Sequence, residues 1–152
     1  MTADGYARLE AELKRLKTVE RPDAIRAISA AREHGDLAEN AEYHAARERQ
    51  SFIEGRVREL QDKLGRAEVI DVGKLSGKAI KFGATVTLAD EETDEKSTYQ
   101  LVGADEADVT DGRISITSPV ARALIGRGIG DLVHVETPSG GRSYEVIKII
   151  YR

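Results

Sequence analysis

Apolar positions in the first half of the chain recur at alternating intervals of three and four. Leu9, Leu13 and Leu16 open one stripe, and Ala24, Ile25, Ile28 and Ala31 resume it beyond Pro22. A second stripe runs through Ile53, Val57, Leu60, Leu64 and Ala67. Such intervals place the apolar side chains on one narrow seam of a helix and leave the other faces to charge, the heptad pattern of a coiled coil. Pro22 is the irregularity. It either starts a new helix in the first turn, where a missing N–H costs nothing, or kinks a continuous one. Between the stripes lies Glu33-His34-Gly35-Asp36-Leu37-Ala38-Glu39-Asn40. Gly35 suits a left-handed cap on the first helix, and Asp36 with Glu39 three residues on resembles a capping box opening the second. A connection this short makes the helices antiparallel neighbours. At ~1.5 Å per residue, arms of up to about 28 residues make a hairpin ~40 Å long.

From about residue 68 the period changes to two. Phe82–Leu88 and Ser97–Val102 flank the acidic turn Asp90-Glu91-Glu92-Thr93-Asp94-Glu95 and read as a β-hairpin. Arg113–Ile116 is a third short strand. Leu132–Glu136 and Tyr144–Tyr151 form another hairpin across Thr137-Pro138-Ser139-Gly140-Gly141. One helical segment interrupts them, with Ser118 as its cap, Pro119 in the first helical position and Gly126 at its end. Strands segregated from a single short helix predict an antiparallel sheet in a small α+β domain. The border falls near Gly73–Lys78, where Gly and Ser punctuate the chain. The expected organisation is therefore an antiparallel coiled-coil hairpin over residues 1–73, with its tip near 33–43, and a sheet domain over 78–152.

Composition narrows the function classes. Charged residues make up 33% of the 152, yet 23 Lys+Arg against 27 Asp+Glu leave a net charge of −4. Bulk attraction to nucleic acid is thus excluded, as is a disordered acidic tail, because aliphatic residues are plentiful. With no cysteine, disulfides, thiolate metal sites and a cysteine nucleophile drop out. No apolar run approaches the ~18–20 residues that span a bilayer, and the start lacks a signal-peptide pattern. A soluble, cytoplasmic protein without a membrane partner is expected, and a monomer, since a free hairpin must be able to enter a partner.

Much of the charge solvates the outer faces of a slender hairpin. Two local features stand out. Every basic residue between positions 26 and 58 is arginine: Arg26, Arg32, Arg47, Arg49, Arg56 and Arg58. Arginine grips phosphate bidentately, so a patch on one face, with Arg32, Arg47 and Arg49 as candidates, could grip a nucleic-acid backbone, although six acidic residues share the segment. The second feature is the carboxylate pair Asp36 and Glu39, which a helical spacing of three sets on one side. Carboxylates suit Mg²⁺, but two cannot satisfy its six-oxygen shell. They could complete a site belonging to another molecule, as two-metal phosphoryl chemistry requires, or serve as helix caps only. No phosphate loop, dinucleotide fingerprint or His-Glu-x-x-His helix is present. His34 and His44 read as surface residues.

The stretch EHGDLAENAEYHAARERQ, preceded by Ala31-Arg32, resembles the signature of the Gre family of bacterial transcript-cleavage factors. The start MTADGYARLEAELKRLK, the segments KFGATVTL and GADEADVTDGRISITSPVARALIGR, and the ending YEVIKIIY are similar to the same family in the same order, so the resemblance spans the chain. It implies a C-terminal FKBP-like domain that holds the rim of the RNA polymerase secondary channel while the hairpin enters it. It further implies an accessory factor with no cofactor and no catalysis of its own. At the extruded RNA 3′ end of a backtracked complex, Asp36 and Glu39 would help the polymerase active site hold a second Mg²⁺ and activate water for transcript cleavage. Ser118, Pro119, Ala121 and Arg122 match the family's polymerase-docking segment. Asn40, Glu42 and Tyr43 match the tip motif without an assigned role. Relatives with altered acidic tips inhibit polymerase, so a binding-only channel regulator is the alternative; an autonomous Mg²⁺-dependent ribonuclease is a third.

Overall fold

The structure, a computed structural model, describes residues 1–35 and 40–152. Its described residues divide into two compact units, Tyr6–Glu68 and a second formed by Met1–Gly5 with Val69–Arg152. The hairpin unit is therefore shorter at both ends than residues 1–73.

The first arm comprises α1 (Ala3–Arg15), a single π turn (Leu16–Glu20) and α2 (Arg21–Arg32). Its backbone stays right-handed helical through both junctions, at Arg15 (φ −61°, ψ −44°), Glu20 (φ −67°, ψ −45°) and Arg21 (φ −62°, ψ −51°). Pro22 lies in the first turn of α2, as one of the two expectations had it, and the helical backbone runs unbroken through the π turn before it. The heptad begun at Leu9, Leu13 and Leu16 would continue through positions 20, 23, 27 and 30, but the buried residues are Ala24, Ile28 and Ala31, one place late. A π turn, in which the Arg21 N–H bonds back to the Leu16 carbonyl, takes up one extra residue. It returns the stripe to the seam, at the place where the proline has removed a normal helical hydrogen bond.

The second arm is α3 (Ala41–Arg66), which buries Ala46, Ile53, Val57 and Leu60. Ala24, Ile53 and Val57 form the packed centre of the seam, with Leu13 and Leu16 against them. Ion pairs bracket it. Arg21 binds Glu54 bidentately at 2.6 and 2.9 Å, Arg56 binds Glu12 at 2.7 and 2.9 Å, and Arg49 reaches Glu20 at 2.9 Å. All three cross between the arms, so they fix register as well as adding modest energy.

The second unit is a five-stranded sheet in the order β3-β2-β1-β5-β4, comprising β1 (Thr85–Asp90), β2 (Lys96–Val102), β3 (Arg113–Ser115), β4 (Leu132–Thr137) and β5 (Gly140–Ile150). The α+β class is as expected, with one correction to the pairing: β3 lies parallel to β2. Two single-turn 3-10 segments, Ala104–Glu106 and Val109–Asp111, carry the chain back before β3 begins. The short helix α4 (Pro119–Leu124) contributes Ala121 and Leu124 to a core of Ile80, Val86, Leu88, Leu101, Val133, Val135 and Val146. A bulge in β5 leaves Ile147 without a counterpart between Val146, opposite Leu88, and Lys148, opposite Thr87. This shift by one brings Ile149 opposite Val86 and against the core.

The chain's first residues belong to this unit through a buried carboxylate. Glu106 accepts hydrogen bonds from the Thr2 backbone N–H at 2.7 Å, from the Thr2 hydroxyl, and from the Gly103 N–H at 2.9 Å. The Met1 carbonyl also accepts from the Ile70 N–H at 2.8 Å.

Candidate nucleic-acid interface at the hairpin turn

The end of α2 and the start of α3 are closed by one side chain. At α2 the Glu33 and His34 N–H groups turn back to the Ala30 and Ala31 carbonyls at 3.3 and 3.1 Å, and Gly35 follows with φ +103°. That glycine exit is as predicted. The N-cap of α3 is Asn40, a correction to the assignment of Asp36. Its backbone is extended (φ −85°, ψ 99°), and its Oδ1 accepts from the Tyr43 N–H at 3.0 Å. Its Nδ2 meanwhile donates to the Ala31 carbonyl at 2.6 Å. A carboxylate could accept the first bond but not donate the second, so the amide suits this position better than an aspartate. Asp36 and Glu39 lie outside the described residues. Among the described residues, no group of three or more His, Asp or Glu side chains could hold a metal ion.

Beside this double cap the three candidate arginines separate. Arg49 is bound to Glu20 and belongs to the ion pairs of the seam. Arg32, at the end of α2, and Arg47, on α3, lie instead against one aromatic ring, 5.9 and 5.8 Å from the centroid of Tyr43. Arg47 also donates from Nη1 to the Tyr43 hydroxyl at 2.9 Å. Hydrogen bonding from Arg32, then from Arg47, holds the phenol below its ordinary range. The His44 ring packs edge-on to Tyr43 at 5.6 Å, while His34 approaches Glu42 at 3.8 Å with both side chains exposed. Guanidinium groups held by a neutral ring keep their full charge, so Arg32 and Arg47 can bind an anion.

In the sheet unit the residues expected to dock polymerase sort in the same way. The Ser118 hydroxyl accepts from the Ala121 N–H at 3.2 Å and caps α4. Ala121 is wholly buried in the core. Pro119 and Arg122 are the exposed members, available to a partner.

The sequence matches the family "Transcription elongation factor, N-terminal" over residues 1–69 and "Transcription elongation factor, GreA/GreB, C-term" over residues 75–151. The chain belongs to the GreA/GreB family of transcription elongation factors. It is 64% identical over 152 residues to the transcription elongation factor GreA of Hyphomonas neptunium, covering 100% of this chain and 97% of that one. To GreA of Rhodospirillum rubrum it is 63% identical over 149 residues, covering 98% and 95%. Among solved structures, GreA factor homolog 1 of Thermus thermophilus is 32% identical, with 99% and 97% coverage and a TM-score of 0.45.

For a GreA/GreB chain the role that the sequence left unassigned is that of Asn40, the cap of α3. Asparagine is as good an N-cap as aspartate, and the signal lay in its place immediately before Ala41-Glu42. Tyr43 carried no signal of its own, since a lone tyrosine among arginines does not disclose which of them it touches. No helix among the described residues is long and apolar enough to cross a membrane.

Proposed function

We propose that this chain is an accessory factor of bacterial RNA polymerase, without catalysis of its own. Its hairpin enters the secondary channel of a backtracked complex and stimulates cleavage of the RNA 3′ end. Family membership supports the general role. The observation that carries the finer reading is the pairing of Arg32 and Arg47 with the Tyr43 ring, whereas Arg21, Arg49 and Arg56 pair with carboxylates among the described residues. Cations there would hold the extruded RNA backbone, and Asp36 and Glu39 would act at the scissile phosphate.

Asp36 and Glu39 offer hard oxygen ligands of the kind Mg²⁺ prefers, and two side chains fall short of its shell, so the polymerase supplies the remainder. Asp36 and Glu39 would thus help hold a second Mg²⁺, which would supply charge for activating water. The exposed Pro119 and Arg122 would meet the rim of the channel, leaving the hairpin free to reach inward. The factor acts in the cytoplasm as a monomer.

The test is a gel of defined backtracked complexes. Replacing Asp36 and Glu39 by alanine should abolish release of short RNA while polymerase binding is unchanged. Undiminished cleavage by that double variant would sink the proposal. Inhibited elongation with no RNA released by the unaltered protein would make it a binding-only regulator. Products from free RNA and Mg²⁺ without polymerase would make it a nuclease.

A further inference from the structure

Tyr43 touches both arginines at the turn, and they come from different arms. Arg32 closes α2, whereas Arg47 stands one turn beyond Tyr43 on α3. Two guanidinium groups repel each other, so their shared position against one ring needs a cause. The ring face attracts each cation, and the hydroxyl accepts a hydrogen bond from Arg47 at 2.9 Å. Tyr43 is itself fixed by the double cap, because its own N–H is the group that Asn40 accepts. The contrast with the seam is chemical. Arg21, Arg49 and Arg56 are bound to Glu54, Glu20 and Glu12, and a carboxylate cancels the charge that a phosphate would need. A phenol orders the cation and leaves its charge in place.

We infer that Tyr43 is a positioning residue that gathers Arg32 and Arg47 from the two arms into one preordered pair for a phosphate of the extruded transcript. The inference rests on the function proposed above. Without the ring, two long side chains on separate helices would have to be ordered by the RNA itself, which weakens each contact they make. Tyr43 contributes no proton and no ligand to the reaction. It acts only through the arginines.

That dependence is the test. Cleavage in defined backtracked complexes is measured across a range of factor concentrations. Tyr43→Ala should lower the maximal rate about tenfold, the equivalent of one hydrogen bond to a charged group. The concentration giving half the maximal rate should not change, because docking lies in the other unit. Tyr43→Phe keeps the ring and loses the hydroxyl, so its rate should fall between. In a chain already carrying Arg32→Ala and Arg47→Ala, Tyr43→Ala should add no further loss. A full rate for Tyr43→Ala overturns the inference, and so does an equal loss with and without the arginines, which would assign Tyr43 a role of its own. If Tyr43→Ala melts early, Tyr43→Phe decides by the same two criteria. Failure of the underlying function is seen separately, as an unaltered protein that releases no RNA.

Discussion

Among the described residues three glycines stand inside α-helices, and replacing each by alanine should have opposite effects in the two units. Gly55 lies mid-way along α3 and Gly65 near its end, and an added Cβ at either would meet nothing within 4 Å. Alanine in place of glycine within a helix is worth about 1 kcal/mol where nothing else changes. Gly55→Ala should therefore stabilise the hairpin unit by about 1 kcal/mol, or ~4–8 °C in melting temperature for a unit of this size, and Gly65→Ala by less. Gly5, in the first turn of α1, is different. A Cβ there would lie 2.0 Å from Oε1 of Glu106 and 2.5 and 2.6 Å from its Cγ and Cδ. A carboxylate at the end of a side chain can normally swing aside, but this one is buried and accepts three hydrogen bonds, from the Thr2 N–H, the Thr2 hydroxyl and the Gly103 N–H. Moving it strands those donors, and hydrogen bonds to a charged group are worth ~1.5–3 kcal/mol each. Even if water recovers half of this, the loss is about 2–4 kcal/mol against a helix-propensity gain below 1 kcal/mol. Urea denaturation read by hydrogen exchange, with peptides from each unit followed separately, measures both signs. A Gly5→Ala protein as stable as its parent would refute the assignment of Glu106 as the anchor of the chain's first residues. A destabilised Gly55→Ala would mean that its open surface is not open.

Asn40→Ala should cost about 1–2 kcal/mol of hairpin stability by releasing both helix ends, and Asn40→Asp should recover about half, since it keeps only the accepted bond; denaturation curves of the three proteins decide it. A double-mutant cycle on Arg21 and Glu54 should give a coupling of about 0.5–1 kcal/mol that shrinks in molar salt, and an absent coupling would mean that the arginine stabilises only through its stem. Asp90 is held below the ordinary 3.8 by the backbone N–H of Glu92, then by that of Thr93 and by Arg142. Its folded-state value is depressed, so its contribution is complete above pH about 3.8 and is lost as pH falls through the folded value. Asp90→Asn should accordingly flatten the acid limb of the sheet unit's stability profile, measured by circular dichroism between pH 2 and 5.

The elements whose residues face one partner were readable from the sequence. Period three-four gave both arms, period two gave the strands, and the cap Ser118 with Pro119 behind it gave α4 at its observed place. The one-residue delay from Leu16 to Ala24 was also written in the spacing, but two local solutions, restart and kink, fit it as well as the π turn. Choosing among them needs to know where the other arm's seam lies. The β5 bulge is similar: Val146-Ile147-Lys148-Ile149 does not show which residue is the extra one until Leu88 and Val86 stand opposite. The parallel placement of β3 rests on two brief turns without hydrophobic periodicity. Glu106 carries no local signal of its burial, because that burial depends on donors 104 positions away in Thr2. At the turn, Arg32, Arg47 and Arg49 shared one local signal, and only the opposite arm separates them.

That separation bears on how, under the function proposed above, a chain of net charge −4 would grip a polyanion. Arg49 and Arg56 face Glu20 and Glu12, partners 29 and 44 positions distant that only the folded hairpin supplies. Each such pair is neutral from a distance and binds no phosphate. Near the turn the partner of Arg32 and Arg47 among the described residues is a phenol, which leaves their two positive charges in place. The field felt by an approaching RNA is then set by which cations lack a carboxylate, not by the total. Reversing one such choice should be enough to alter it. Tyr43→Glu would keep a hydrogen-bond acceptor beside both arginines and cancel one of their two positive charges. It should therefore bind polymerase like its parent and lose part of the cleavage that Arg32→Ala with Arg47→Ala loses. Cleavage at the parental rate by Tyr43→Glu would show that the uncancelled charge is not what the RNA meets.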